Sequence, residues 1–166
     1  MQSCIMDWEY AYYLRNDAEY PITVLELSES WTMENELYSD TTLPYEVAYY
    51  SLAPAHKGWN ANIWPRSTEL EDFMERRQID TVCVFVFKSE TLQKCSWDSI
   101  RSGYLVLQRY DLSREDVISL KHTYLCFPPS EAMKGIRMWP PYGTYDEEGN
   151  VVERRNTQKT TKNNKP

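Results

Sequence analysis

The run from Asp80 to Phe87, DTVCVFVF, constrains the fold most, because six successive residues from Val82 to Phe87 are apolar. A strand with one face in water alternates apolar and polar residues. A run that is apolar on both faces belongs inside a sheet that is covered on both sides. The residues that follow leave little slack. Ser96 caps a short helix through about Ser102, with Trp97 and Ile100 on one face, and Tyr104 to Arg109 returns as a strand. Ser113 and Asp116 make a capping box, in which hydroxyl and carboxylate each serve an orphan amide at the helix start. The helix it opens turns Val117 and Leu120 inward. His122 to Phe127 forms a last strand, stopped by Pro128-Pro129.

The upstream half is punctuated differently. Residues 5 to 14 are rich in aromatics, and Asn16-Asp17 is a turn signal. Tyr20 to Leu27 alternates at period two, with Tyr20, Ile22 and Val24 on one face and Pro21 placing the strand start at a sheet edge. Residues 28 to 43 are polar and acidic and form a loop, and Tyr45, Val47 and Tyr49 then alternate in a half-buried strand. Ala53 to Arg66, with two Pro and one Gly, is a long connection. Thr68 and Glu71 form a capping box for a helix over about 68–78, whose Leu70, Phe73, Met74 and Arg77 recur at helical spacing.

At 166 residues the chain is one domain, and thirteen Tyr and six Trp against five Gly favour pleated sheet. The expected fold is a single mostly β, α+β domain over residues 1–150, an antiparallel β-sandwich with two or three short helices. Residues 151–166 hold five Lys or Arg and one Glu. That net of +4, taken from the whole-chain −7, leaves −11 on residues 1–150. An acidic body repels nucleic-acid phosphates, so nucleic acid is disfavoured as a partner. The basic terminal segment reads as a disordered tail, with contact to an acidic surface as the other option.

No Gly-rich phosphate loop, HExxH, CxxC or GxSxG occurs, and Cys4, Cys83, Cys95 and Cys126 fit no common zinc spacing, so no cofactor, metal or catalytic residue is assigned. Cys83 and Cys126 suit buried strands as free thiols; a disulfide between them requires neighbouring strands. His56 and His122 are the only histidines, and His122 reads as an exposed sheet residue. Asp111, Glu115 and Asp116 supply carboxylates, but helix capping already accounts for Asp116.

Aromatic rings beside Pro and Gly in two irregular segments are the candidate binding residues: Trp59 and Trp64 in one, Trp139, Tyr142 and Tyr145 in the other. Exposed rings held on extended backbone suit glycan or peptide ligands. The competing reading is that they seal the two ends of the core.

The order of Lys94-x-Ser96-Trp97-Asp98-x-Ile100-Arg101, an apolar strand, Arg109-Tyr110-Asp111-Leu112-Ser113-x-Glu115-Asp116 and a strand ending in Pro-Pro resembles small uncharacterised lipoproteins of gut Bacteroidales, over residues 80–142. The chain departs from that pattern at Cys95, where an aromatic is expected, and at Lys121-His122. The resemblance implies a place in the cell envelope, with Cys4 as the lipid-attachment residue and the anchor as the sole membrane contact. The expectation is therefore a non-enzymatic surface or periplasmic binding or structural module for a glycan or another surface protein, given a signal peptide before the chain. The alternative is a cytoplasmic acidic interaction protein, an inhibitor or immunity factor masking a protein partner. A glycan hydrolase would need two carboxylates facing a cleft.

Overall fold

A computed structural model of the chain describes residues 12–25, 43–44, 52–64, 69–120 and 124–152. Among these residues, eight strands form two sheets and four short helices pack against them, a mixed α+β arrangement. The three-stranded sheet has the order β4-β1-β7, with β1 at Tyr12–Asn16, β4 at Asn60–Trp64 and β7 at Leu125–Phe127. β1 pairs antiparallel with β4 and parallel with β7. The five-stranded sheet is antiparallel throughout, in the order β3-β2-β5-β6-β8. Its strands are β2 (Ile22–Leu25), β3 (Leu52–Ala55), β5 (Thr81–Lys88), β6 (Gln108–Ser113) and β8 (Arg137–Trp139).

The apolar run becomes β5, an interior strand between β2 and β6. Its alternate residues serve two cores. Val82, Val84 and Val86 enter the main core with Leu14 and Ile63 of the three-stranded sheet, and with Leu70, Phe73 and Met74 of α1 (Leu70–Arg77) and Val117 of α4 (Arg114–Leu120). Cys83, Phe85 and Phe87 enter a second core with Ile100, backed by Leu92 of α2 (Ser89–Lys94) and Trp97 of α3 (Trp97–Gly103). Each fully buried Val or Phe contributes about 1.5–3 kcal/mol, which makes β5 the strand least tolerant of substitution.

Two caps form as the spacing predicts. Ser96 Oγ accepts the Ser99 amide at 3.3 Å. Ser113 N donates to Asp116 Oδ2 at 2.9 Å while Asp116 N donates to Ser113 Oγ at 3.2 Å. At α1, Glu69 is the N-cap residue and makes no side-chain cap bond, and Glu71 turns inward to accept the Tyr12 hydroxyl. Burial and the Glu71 carboxylate raise the Tyr12 phenol far above its ordinary range. Thr68, the expected partner of Glu71 in a capping box, lies outside the described residues, as do Cys4, the loop at 28–42, the strand at 45–50, His122 and residues 153–166.

Three expectations are corrected. Pro21 does not mark an edge, since β2 lies between β3 and β5. The segment from Ala53 carries β3 and β4, joined by a tight turn at His56–Trp59 in which Gly58 adopts φ 76°. Pro54 fits because β3 is the sheet's outermost strand there, so its missing N–H interrupts no ladder. The strand expected at Tyr104–Arg109 starts at Gln108, because Tyr104 is the left-handed C-cap of α3. Cys83 and Cys126 sit in different sheets as free buried thiols, as the strand reading expects. Val151 bridges to Tyr145, and the Val152 amide donates to the Thr144 carbonyl.

Candidate functional site

An open groove of about 630 Å³ lies where β1 and β7 end, between the Pro128–Glu131 segment and the Tyr142–Glu147 loop. Asn16, buried next to the lining residue Asp17, fixes the turn beside it. Its buried amide donates to the carbonyls of Tyr20 at 2.9 Å and Ala55 at 3.0 Å, and its Oδ1 accepts the Ala18 amide at 3.0 Å. The chain therefore turns at Asp17, whose amide donates to the Phe127 carbonyl at 2.7 Å. Asp17 receives the Arg15 guanidinium through two nitrogens, each at 2.8 Å.

One wall is a 3₁₀ turn at Glu131–Met133 that folds Met133 onto β7, its sulfur accepting the Cys126 amide at 3.4 Å. Glu131 stays exposed on that turn. The other wall is the loop after β8. Thr144 closes a turn on the Pro141 carbonyl with Gly143 at φ 81°, and Tyr145 stacks edge-on against Phe127 at 5.2 Å while its hydroxyl donates to Leu107 O at 2.5 Å. Burial pushes the Tyr145 phenol up to about 12. Asp146 accepts the amides of Glu148 and Asn150 at 3.1 and 2.8 Å, and these bonds, led by that of Asn150, hold its carboxyl below the usual range. Gly149, at φ 85°, seats this turn on Ala18 and Tyr20, where a Cβ would lie 2.8 Å from that of Ala18.

The groove thus carries the carboxylates of Asp17, Glu131, Asp146 and Glu147 and the half-buried ring of Tyr142. Of the five aromatic candidates, Tyr142 and Tyr145 line it. Trp139, 49% exposed at the sheet edge on β8, lies three residues upstream of Tyr142. Trp59, 66% exposed, sits at the β3–β4 turn, where its carbonyl accepts the Asn16 amide at 2.9 Å and its ring meets His56 edge-on. It lies on the β4 side of β1, opposite the β7 side that forms the groove. Trp64 is a correction: it is fully buried, 4.9 Å from the Phe73 ring, and cannot present a surface. The register shift between Tyr12 and Tyr13 turns both Ile63 and Trp64 inward.

Two exposed rings went unread in the sequence. Tyr13 points outward from β1 and Tyr124 precedes the paired residue Leu125, so the parallel Leu14–Leu125 register sets them side by side on the outer face of the three-stranded sheet, leading toward the groove through Arg15. The period-two pattern of Tyr12 to Asn16 was the available signal. The turn Asp146-Glu-Glu-Gly149-Asn150 was also legible, as an Asp-initiated turn with Gly at its fourth position.

The carboxylates weighed for acid–base work do not converge on the groove. Asp111 is buried in an ion pair with Arg109 at 2.5 Å, Asp116 caps α4, and Glu115 is exposed on that helix. Among the described residues, no group of three or more His, Cys, Asp or Glu side chains is placed to hold a metal ion, and no helix is long and apolar enough to cross a membrane. No protein-family model, curated protein or solved structure matches this chain.

Proposed function

We propose that this protein is a non-enzymatic binding module of the cell envelope, and that its ligand seat is the groove between β7 and the Tyr142 loop. One observation carries the reading. An aromatic ring and several hydrogen-bonding groups converge in a concavity whose loop wall is fixed by side-chain-to-backbone hydrogen bonds, the form that small-ligand and glycan sites take. The Tyr142 ring offers a flat face for a sugar, and Asp17, Glu131 and Glu147 offer acceptors for its hydroxyls. Tyr13 and Tyr124 extend the platform for a longer chain. The envelope assignment rests on the resemblance over residues 80–142 and makes Cys4 the lipid-attachment residue.

A second reading draws support from the same groove. Four carboxylates on its lining, in a body of net −11, suit an acidic interaction protein that masks a basic protein partner. Titration of intrinsic fluorescence against neutral glycans, peptidoglycan fragments and a lysine-rich peptide separates the two. Saturable glycan binding that Tyr142→Ala abolishes and Trp59→Ala leaves intact supports the first reading. Binding of the peptide alone, weakened by salt, supports the second, and a flat response to the whole panel removes the groove as a seat. Fatty-acid labelling in the native host, lost on Cys4→Ala, tests the anchor; an unlabelled protein places it elsewhere.

A further inference from the structure

We infer that Cys126 and Met133 form a site for a soft monovalent metal ion, Cu(I) or Ag(I), in the β7 wall of the groove. The two sulfurs already meet there. Cys126 Sγ donates to Met133 Sδ at 3.5 Å, and the Cys126 amide donates to the same thioether sulfur at 3.4 Å. Thiolate and thioether are the donors that select Cu(I), whereas carboxylates and carbonyls suit harder ions. The site goes beyond the glycan reading and does not rest on it, since neither sulfur depends on what Tyr142 meets.

Backbone structure places both donors. β7 sets Cys126 opposite Arg15 of β1, and the Tyr110 hydroxyl donates to the Cys126 carbonyl at 2.7 Å. The 3₁₀ turn folds Met133 back onto β7, its own amide donating to Ser130 O at 3.0 Å and the Ile136 amide donating to its carbonyl at 2.9 Å. With each metal–sulfur bond at roughly 2.3 Å, sulfurs 3.5 Å apart subtend about 100° at an ion. That angle suits a site of three or four ligands, and a linear pair would need wider separation. The groove side, where Cys126 is part of the lining, leaves room for a further donor.

Charge selects the valence. Cys126 and Met133 are 3% and 2% exposed, in a core that includes Leu125 and Phe127. Binding exchanges the thiol proton for the ion: Cys–SH and M⁺ give Cys–S–M, the proton passes to solvent, and no oxidation state changes. A monovalent ion therefore keeps the site neutral. A divalent ion would add a buried positive charge across the register from Arg15, which is costly without a further anion.

Anaerobic titration of the reduced full chain with Cu(I) held by the chromophoric chelator bicinchoninate tests this, in a Cys4→Ser/Cys95→Ser background that keeps Cys83 and Cys126. Expected is withdrawal of one Cu(I) per chain, retained in Cys83→Ala and lost in Cys126→Ala. Met133→Leu, which conserves volume, should weaken it by more than about tenfold, since loss of even an outer-shell partner costs about 10–100-fold. X-ray absorption at the copper edge reads the donors with both site residues intact, and at least two sulfur neighbours are expected. Four results each overturn the site: no withdrawal of Cu(I), withdrawal unchanged by Met133→Leu, withdrawal lost in Cys83→Ala, or a copper shell with a single sulfur.

Discussion

Removing the Asp111 carboxylate tests how the five-stranded sheet tolerates a charge in its interior. Arg109 and Asp111 lie two apart on β6 and share the face opposite Tyr110 and Leu112, with side chains 1% and 4% exposed. The Arg109 Nε meets Asp111 Oδ1 at 2.5 Å, its guanidinium lies over the Phe85 ring at 5.6 Å, and an Nη donates to the Cys83 sulfur at 3.4 Å. Burial alone would lower the guanidinium pKa; Cys83 and Asp111 outweigh it and raise it. Asp111→Ala leaves that charge buried without its carboxylate, at a cost of about 3–5 kcal/mol. Against a total stability of about 5–15 kcal/mol, this is a large fraction. Arg137 reaches the other Asp111 oxygen at 3.3 Å from a side chain 61% exposed, so Arg137→Ala should cost no more than about 1 kcal/mol. The double replacement Arg109→Met/Asp111→Leu should recover most of the single-variant loss, because well-packed apolar residues often match a buried ion pair. Urea unfolding with constant slope gives these differences. An Asp111→Ala cost under about 1 kcal/mol, set against the 3–5 expected, would refute the reasoning, as would a double variant less stable than Asp111→Ala.

Gly149→Ala combines left-handed strain of about 1–2 kcal/mol with the 2.8 Å approach to Ala18, and should lower the urea midpoint clearly; an unchanged midpoint would mean that the loop does not seat there. Trp64→Ala should cost about 3–5 kcal/mol as a core truncation, whereas Tyr142→Ala should leave stability nearly unchanged, and equal costs would contradict their placement. Ser113→Ala should lose about 1 kcal/mol of capping without changing the circular dichroism of the native state. Tyr145 is held near 12 by burial against about 10 when unfolded, so the unfolded chain loses this proton first and stability should fall as pH rises from about 10 to 12; phenolate absorbance with all tyrosines titrating near pH 10 would oppose this.

The parts legible in the sequence were those with local causes. An apolar run on both faces identified β5 as interior, and the Ser96 and Ser113 caps placed two helix starts, because hydroxyl and amide are only three residues apart. The hairpin at β3–β4 was hidden by Pro54 and Gly58, which signal irregular chain unless the edge position of β3 is known. Trp64 reads as a surface ring because a bulge opposite Tyr12 breaks the period that turns it inward. Arg109 reads as a surface charge until Asp111 two residues on shares its face. The groove was least legible of all: it joins Asp17, Glu131 and Tyr142 through the parallel β1–β7 pairing, whose register nothing local encodes.

Amide chemical-shift mapping during a titration with peptidoglycan fragments or soluble glycans tests the groove as ligand seat most directly. The account predicts saturable shifts at Ser130, Glu131, Tyr142, Gly143 and Glu147, with smaller ones at Tyr13 and Tyr124 and none at the Trp59 turn. Shifts centred on His56 to Trp59, with the Tyr142 loop silent, would contradict it.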